Sequence, residues 1–157
     1  MAIPNQTVFA KAEMLIRRPV SEVFKSFTDP AVTTKFWFTK SSGDLVAGQR
    51  VEWTWEMYNV TVPVLVKAIE PNQRIQVEWG NYDDMTSVEW TFKSLSEDST
   101  FVSIVNNGFS GDSEQLIGQV RDSTEGFTLV LAGLKAYLEY GIQLNLVADR
   151  FPQGINE

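Results

Sequence analysis

Over residues 8–17 the chain alternates. Val8, Ala10, Ala12, Met14 and Ile16 fall on one side, and Phe9, Lys11, Glu13, Leu15 and Arg17 on the other. Period-two alternation closed by Pro19 predicts a strand with one buried face. The period then changes. Val20, Val23, Phe24 and Phe27 recur at i, i+3, i+4 and i+7, which predicts a short amphipathic helix with an N-cap near Ser21. Asp29-Pro30 restarts the chain, because Asp caps a helix and Pro fits its first turn. A second short helix therefore runs toward Phe36-Trp37-Phe38, followed by a polar loop over residues 39–49.

The middle of the chain reads as an antiparallel meander. Val51, Trp53, Trp55 and Met57 alternate with Glu52, Thr54, Glu56 and Tyr58; Val60, Val62, Val64 and Val66 share a face; Ile75, Val77 and Trp79, then Val88, Trp90 and Phe92, define the next strands. Tyr58-Asn59 and Glu70-Pro71-Asn72-Gln73 are turn signals, and residues 100–107 form a last strand ended by Gly108. With the first strand this makes about six. The last third switches to helical period. Asp112-Ser113-Glu114-Gln115 and Asp122-Ser123-Thr124-Glu125 both have capping-box spacing, and Phe127, Val130, Leu131, Leu134 and Leu138 share one face. Gly118 and Gly126 predict a shorter helix, a break, and then the main helix, ended by Gly141. From residue 123 to 140 that helix spans about 27 Å at ~1.5 Å per residue, enough to cross a sheet of about 24 Å.

The 157 residues fit a single α+β domain, with a core over about residues 8–146 and a tail over 147–157 that frays. Composition narrows the chemistry. There is no His and no Cys, which excludes imidazole and thiolate catalysis, His- or Cys-held metals and disulfides. No metal or cofactor is expected. Thirteen basic against 20 acidic residues give a charge of −7, unsuited to nucleic acid. No apolar run reaches the ~20 residues of a membrane span. Residues 1–6 show no basic region followed by an apolar core, so a cytoplasmic protein, monomer or homodimer, is the expectation.

Three segments carry a resemblance. The first runs Ile16-Arg17-Arg18-Pro19-Val20-Ser21-Glu22-Val23-Phe24-Lys25-Ser26-Phe27-Thr28-Asp29-Pro30. The second is Phe36-Trp37. The third, from Gly126-Phe127 through Leu134-Lys135 to Leu138-Glu139-Tyr140-Gly141, has Phe127 where Trp is usual. Together they resemble the START-like (SRPBCC) superfamily, in the branch of activator-of-heat-shock-90-ATPase homologues and polyketide-cyclase-like proteins. The resemblance implies a helix-grip fold: a curved antiparallel sheet wrapped on a long C-terminal helix, with two short helices after the first strand. It also implies an elongated apolar cavity between helix and sheet.

Trp53, Trp55, Trp79 and Trp90 fall on the apolar faces of their strands, and Trp37 follows the second helix. Two readings stand. The indoles fill the core, or they line a cavity that takes a flat apolar ligand. On the second, the candidate ligand-binding set is Trp37, Trp53, Trp55, Trp79, Trp90, Phe127, Leu131 and Leu134. Glu52, Glu56 and Glu78 alternate with apolar neighbours and belong on a solvated face, Asn106-Asn107-Gly108 reads as a strand-ending turn, and Asp83-Asp84 as a solvated loop. Three functions follow. The first is binding of an apolar or aromatic small molecule. The second, which the resemblance implies, is regulation of a heat-shock-90-type ATPase, with a chaperone as partner and a place in the stress response. The third is a cyclase- or hydratase-type enzyme using carboxylate or Tyr acid–base chemistry, for which no catalytic pair stands out.

Overall fold

A computed structural model describes residues 8–152. Its strands are β1 (Phe9–Ile16), β2 (Lys40–Ser41), β3 (Arg50–Trp55), β4 (Val60–Glu70), β5 (Arg74–Trp79), β6 (Thr86–Ser96) and β7 (Ser99–Asn107). Its helices are α1 (Val20–Thr28), α2 (Pro30–Thr33) and α3 (Ser113–Tyr140). The strands form one antiparallel sheet in the order β1-β7-β6-β5-β4-β3-β2. Seven strands replace the expected six, because β2 is only two residues long and sits in the stretch read as loop. Two residues are too few to show a period.

The alternation read from the sequence is the burial pattern of the sheet. Val51, Trp53, Val64, Val66, Ile75, Val77, Val88, Trp90, Val102 and Ile104 are all buried, and register stacks them: Trp90 faces Ile75 on one neighbour and Ile104 on the other. Glu52 pairs with Arg50, and Glu78 with Lys67, on the outer face as expected. The two Asn turns work by left-handed backbone, at Asn59 (φ 53°) and Asn72 (φ 63°), a conformation Asn tolerates better than most residues. At α1 the capping residue is Pro19 rather than Ser21, and no side chain caps that end. Asp29 caps α2 as expected, its carboxylate accepting the Ala31 N–H at 3.0 Å.

The expected break in the C-terminal helix is absent. α3 runs 28 residues without interruption, about 42 Å at ~1.5 Å per residue. Its start is the first capping box: Asp112 accepts the Gln115 N–H and Gln115 reaches back to the Asp112 N–H. Its end is Gly141 at φ 67°, with the Gly141 and Ile142 N–H groups returning to Tyr137 and Ala136. Gly118 and Gly126 cost about 1 kcal/mol each in helix propensity. Burial of Leu116, Phe127, Val130, Leu131 and Leu134, at about 1.5–3 kcal/mol per side chain, outweighs that. Among the described residues no helix is long and apolar enough to cross a membrane.

The lysine and glutamate of the closing motif fasten α3 to β1. Lys135 Nζ donates to the Leu15 carbonyl at 2.8 Å and to Glu139 Oε2 at 2.7 Å, and the same carboxylate oxygen accepts the Arg17 N–H at 2.8 Å. The Glu139 side chain is 5% exposed. Burial pushes its carboxyl up, but the Arg17 N–H and the Lys135 ammonium outweigh burial and hold it below the usual range. A carboxyl stronger in the folded than in the unfolded state stabilises the fold fully at neutral pH. That stabilisation is lost as pH falls through the folded-state value, below the ordinary ~4.3 of glutamate. Glu139→Gln is therefore expected to cost about 1–3 kcal/mol at pH 7 and to flatten the acid side of the stability profile, measured by urea unfolding from pH 3 to 7. An acid limb as steep as that of the unmodified protein would show that other carboxylates control it.

Candidate functional site

Helix α3 does not fill the concave face of the sheet evenly. Leu131 and Leu134 are fully buried, whereas one and a half turns earlier the helix carries Gly126, at which an added Cβ would meet nothing within 4 Å. An open cavity of about 420 Å³, with Gly126 on its lining, lies between the middle of α3 and the sheet. Trp37, Trp79, Phe127 and Val130 form apolar walls. Trp37 sits at the centre of an aromatic cluster that backs this wall. Its ring centroid lies 4.9 Å from that of Trp53, 5.8 Å from those of Trp79 and Phe127, and 6.0 Å from that of Trp90. Edge-on and tilted pairs at such separations are favoured by the ring quadrupoles.

The tryptophans divide between the core and the lining of this space. Trp53 and Trp90 are sealed in the core, 1% and 0% exposed, and do not line this cavity; the same holds for Leu131 and Leu134. Trp37, Trp79 and Phe127 line the cavity. Trp55 lines an adjoining hollow of about 280 Å³ together with Val60 and Val62. Tyr58, Trp79 and Val147 border both spaces.

The chain after α3 is part of the site, which corrects the expectation of a frayed tail as far as the described residues go; residues 153–157 lie outside them. Tyr58 holds the returning segment. Its hydroxyl donates to the Val147 carbonyl, lies 3.2 Å from that of Ala148, and accepts the Phe151 N–H at 3.2 Å. The Arg150 guanidinium pairs with Glu125 on α3 and lies 4.2 Å over the Phe151 ring. Residues 147–151 thus form one rim of the cavity, and Val147, Arg150 and Phe151 line it.

Polar groups are few. Asn106, 3% exposed, donates both amide hydrogens, to Thr86 Oγ1 and to the Ser87 carbonyl, each at 2.9 Å. Its Oδ1 accepts the Ser123 hydroxyl at 2.8 Å. Gly108 (φ 92°) does turn the chain after β7, but Asn106 is a cavity residue as well as a strand end. Gln119, Asp122 and Ser123 were not picked out from the sequence as site residues. A signal was present: with Gly126, Phe127 and Val130 they extend the apolar stripe backward at i, i+3 and i+4 spacing. Asp122 is the carboxylate on the lining, and it is exposed. Glu139, the acid whose ionisation the fold holds down, belongs to the β1–α3 fastening and is not a lining residue. Asp83 and Asp84 are exposed, with Asp84 accepting from Ser110.

A family model described as Activator of Hsp90 ATPase homolog 1-like protein matches residues 17–139. No curated protein matches the chain. Among solved structures, protein SSP2350 from Staphylococcus saprophyticus is 28% identical, with a TM-score of 0.73, over 87% of this chain and 95% of its own. DynU16, from the dynemicin biosynthetic locus, is 19% identical with a TM-score of 0.77, over 87% of this chain and 49% of its own. The HSP90 activator PFC0360w from Plasmodium falciparum is 17% identical with a TM-score of 0.67, over 85% and 97%.

Proposed function

The chain belongs to the family of Activator of Hsp90 ATPase homolog 1-like proteins, and on that premise we propose that it is a small-molecule binding protein whose apolar or aromatic ligand sits between α3 and the sheet. The observation that carries this reading is the cavity of about 420 Å³ walled by Trp37, Trp79 and Phe127. Its size falls within the several hundred Å³ typical of small-ligand sites, and flat aromatic walls match flat aromatic ligands. Trp55 and its adjoining hollow would extend the site for a longer molecule. The remaining candidates, Trp53, Trp90, Leu131 and Leu134, would support the walls from behind. A monomer or homodimer in the cytoplasm goes with this reading.

Titration with flavonoids, aromatic polyketides and fatty acids, followed by tryptophan fluorescence, is expected to give a saturable quench with at least one aromatic class. No saturable response to any of them would overturn the binding function. A second reading, regulation of a heat-shock-90-type ATPase, is favoured by a separate feature. Phe9 and Ile117, 43% and 64% exposed, flank an apolar groove of about 440 Å³ between the N-terminal part of α3 and the start of β1, the kind of exposed patch that marks protein contacts. Stimulation of such an ATPase by the purified protein, abolished by Ile117→Asp, is the outcome that would promote this reading.

A further inference from the structure

We propose that the polar end of the cavity selects ligands that donate a hydrogen bond, so that the ligand class is a neutral aromatic carrying a hydroxyl or N–H group; this rests on the small-molecule reading above. The argument starts at Asn106. One of its amide hydrogens goes to the Ser87 carbonyl, which can only accept. The amide therefore cannot turn over, and its Oδ1, not its NH2, must face Ser123. An amide oxygen can only accept, so the single hydroxyl hydrogen of Ser123 is committed to it. Ser123 is left with lone pairs alone to offer the cavity.

The two neighbouring polar residues on the same face of α3 repeat this polarity. Gln119 donates from Nε2 to the Ser110 carbonyl at 2.8 Å and to the Gln115 carbonyl at 3.1 Å, which uses both hydrogens and leaves Oε1. Asp122 is a carboxylate and accepts only. Residues 119, 122 and 123 are spaced i, i+3 and i+4, so they form one patch above Gly126 and Phe127. A ligand carbonyl, ether or carboxylate placed against these three residues meets only lone pairs and a negative charge, and the cationic lining group, Arg150, is engaged by Glu125. A phenol or N–H group placed there gains a partner without breaking any existing bond.

The test uses two probes of nearly the same shape, 1-naphthol and 1-methoxynaphthalene, with affinities measured by isothermal titration calorimetry. Wild-type protein is expected to bind the naphthol about 3- to 10-fold tighter, the range of one net hydrogen bond. Ser123→Ala is expected to bring the ratio toward one by weakening naphthol binding, with methoxynaphthalene affinity retained as the control for an intact cavity. A wild-type ratio near one, or a preference for the ether, overturns the proposal by itself, even if the variant does not fold. A ratio that persists when Gln119→Leu and Asp122→Leu are added to folded Ser123→Ala also overturns it, because the donor would then be met outside this patch. If neither probe binds, while another aromatic quenches in the titration above, the selection rule fails and the binding function stands. If no compound in either experiment binds, both fail together.

Discussion

Replacing Leu134 with alanine is expected to lower the stability of the protein by about 2–5 kcal/mol, the range for truncating a fully buried leucine. The side chain is 0% exposed and stands on the face of α3 that covers the sheet. The site cannot collapse to heal the gap. On one side of α3 the helix backbone is already close to Phe36: a Cβ added at Gly133 would lie 3.4 Å from Phe36 Cβ and O. On the sheet side, strand spacing is set by the hydrogen-bonded ladder. The loss should therefore fall in the upper half of that range, read as a shift of the urea midpoint with unchanged slope. A loss below about 1 kcal/mol would show that this face of the helix does not carry the core.

Gly126→Phe is expected to separate binding from folding. Gly126 lines the cavity and has open space where a side chain would begin. A phenyl group there occupies volume a ligand would need, and overpacking of that kind costs about 1–3 kcal/mol, equivalent to roughly 5- to 150-fold in affinity. The fold should not suffer. Any non-glycine residue in a helix interior relieves part of the ~1 kcal/mol propensity cost of glycine, and new apolar contacts form with the walls. Aromatic-ligand affinity measured by calorimetry should thus collapse while the urea midpoint stays level or rises. Unchanged affinity in the folded variant would place the ligand outside this cavity.

Much of the sheet could be read from the sequence, for a physical reason. Each strand is buried on one face and wet on the other, so the period-two contrast of Trp53 and Trp55 with Glu52 and Thr54 records the environment directly. The helix face from Phe127 to Leu138 was legible on the same ground. Local propensity misled at Gly118 and Gly126, because glycine weighs against a helix only until tertiary burial outweighs it. The cavity was legible in outline alone. Which indoles border it depends on where residues 147–151 return, and that path is held by contacts such as the Tyr58 hydroxyl, bonding carbonyls and an N–H some ninety residues away, and the Arg150–Glu125 pair. No periodicity encodes such a contact. Asn106 shows the same limit: beside Asn107-Gly108 it reads as a turn, and only the pairing of β7 with β6 puts Thr86 and Ser87 within its reach.

The aromatic cluster also makes the protein its own optical instrument. Trp37 stands 4.9 to 6.1 Å, ring to ring, from each of the other four indoles. Transition dipoles at that distance do not absorb independently. They couple into shared excited states, which split into circular-dichroism bands of opposite sign, and excitation passes among the rings faster than any one of them emits. The signed couplet therefore reports the mutual orientation of the whole set and should vanish on unfolding more sharply than the backbone signal. A quencher resting against Trp37 or Trp79 alone would darken all five chromophores, so that a single occupied site extinguishes nearly the whole emission rather than one-fifth of it.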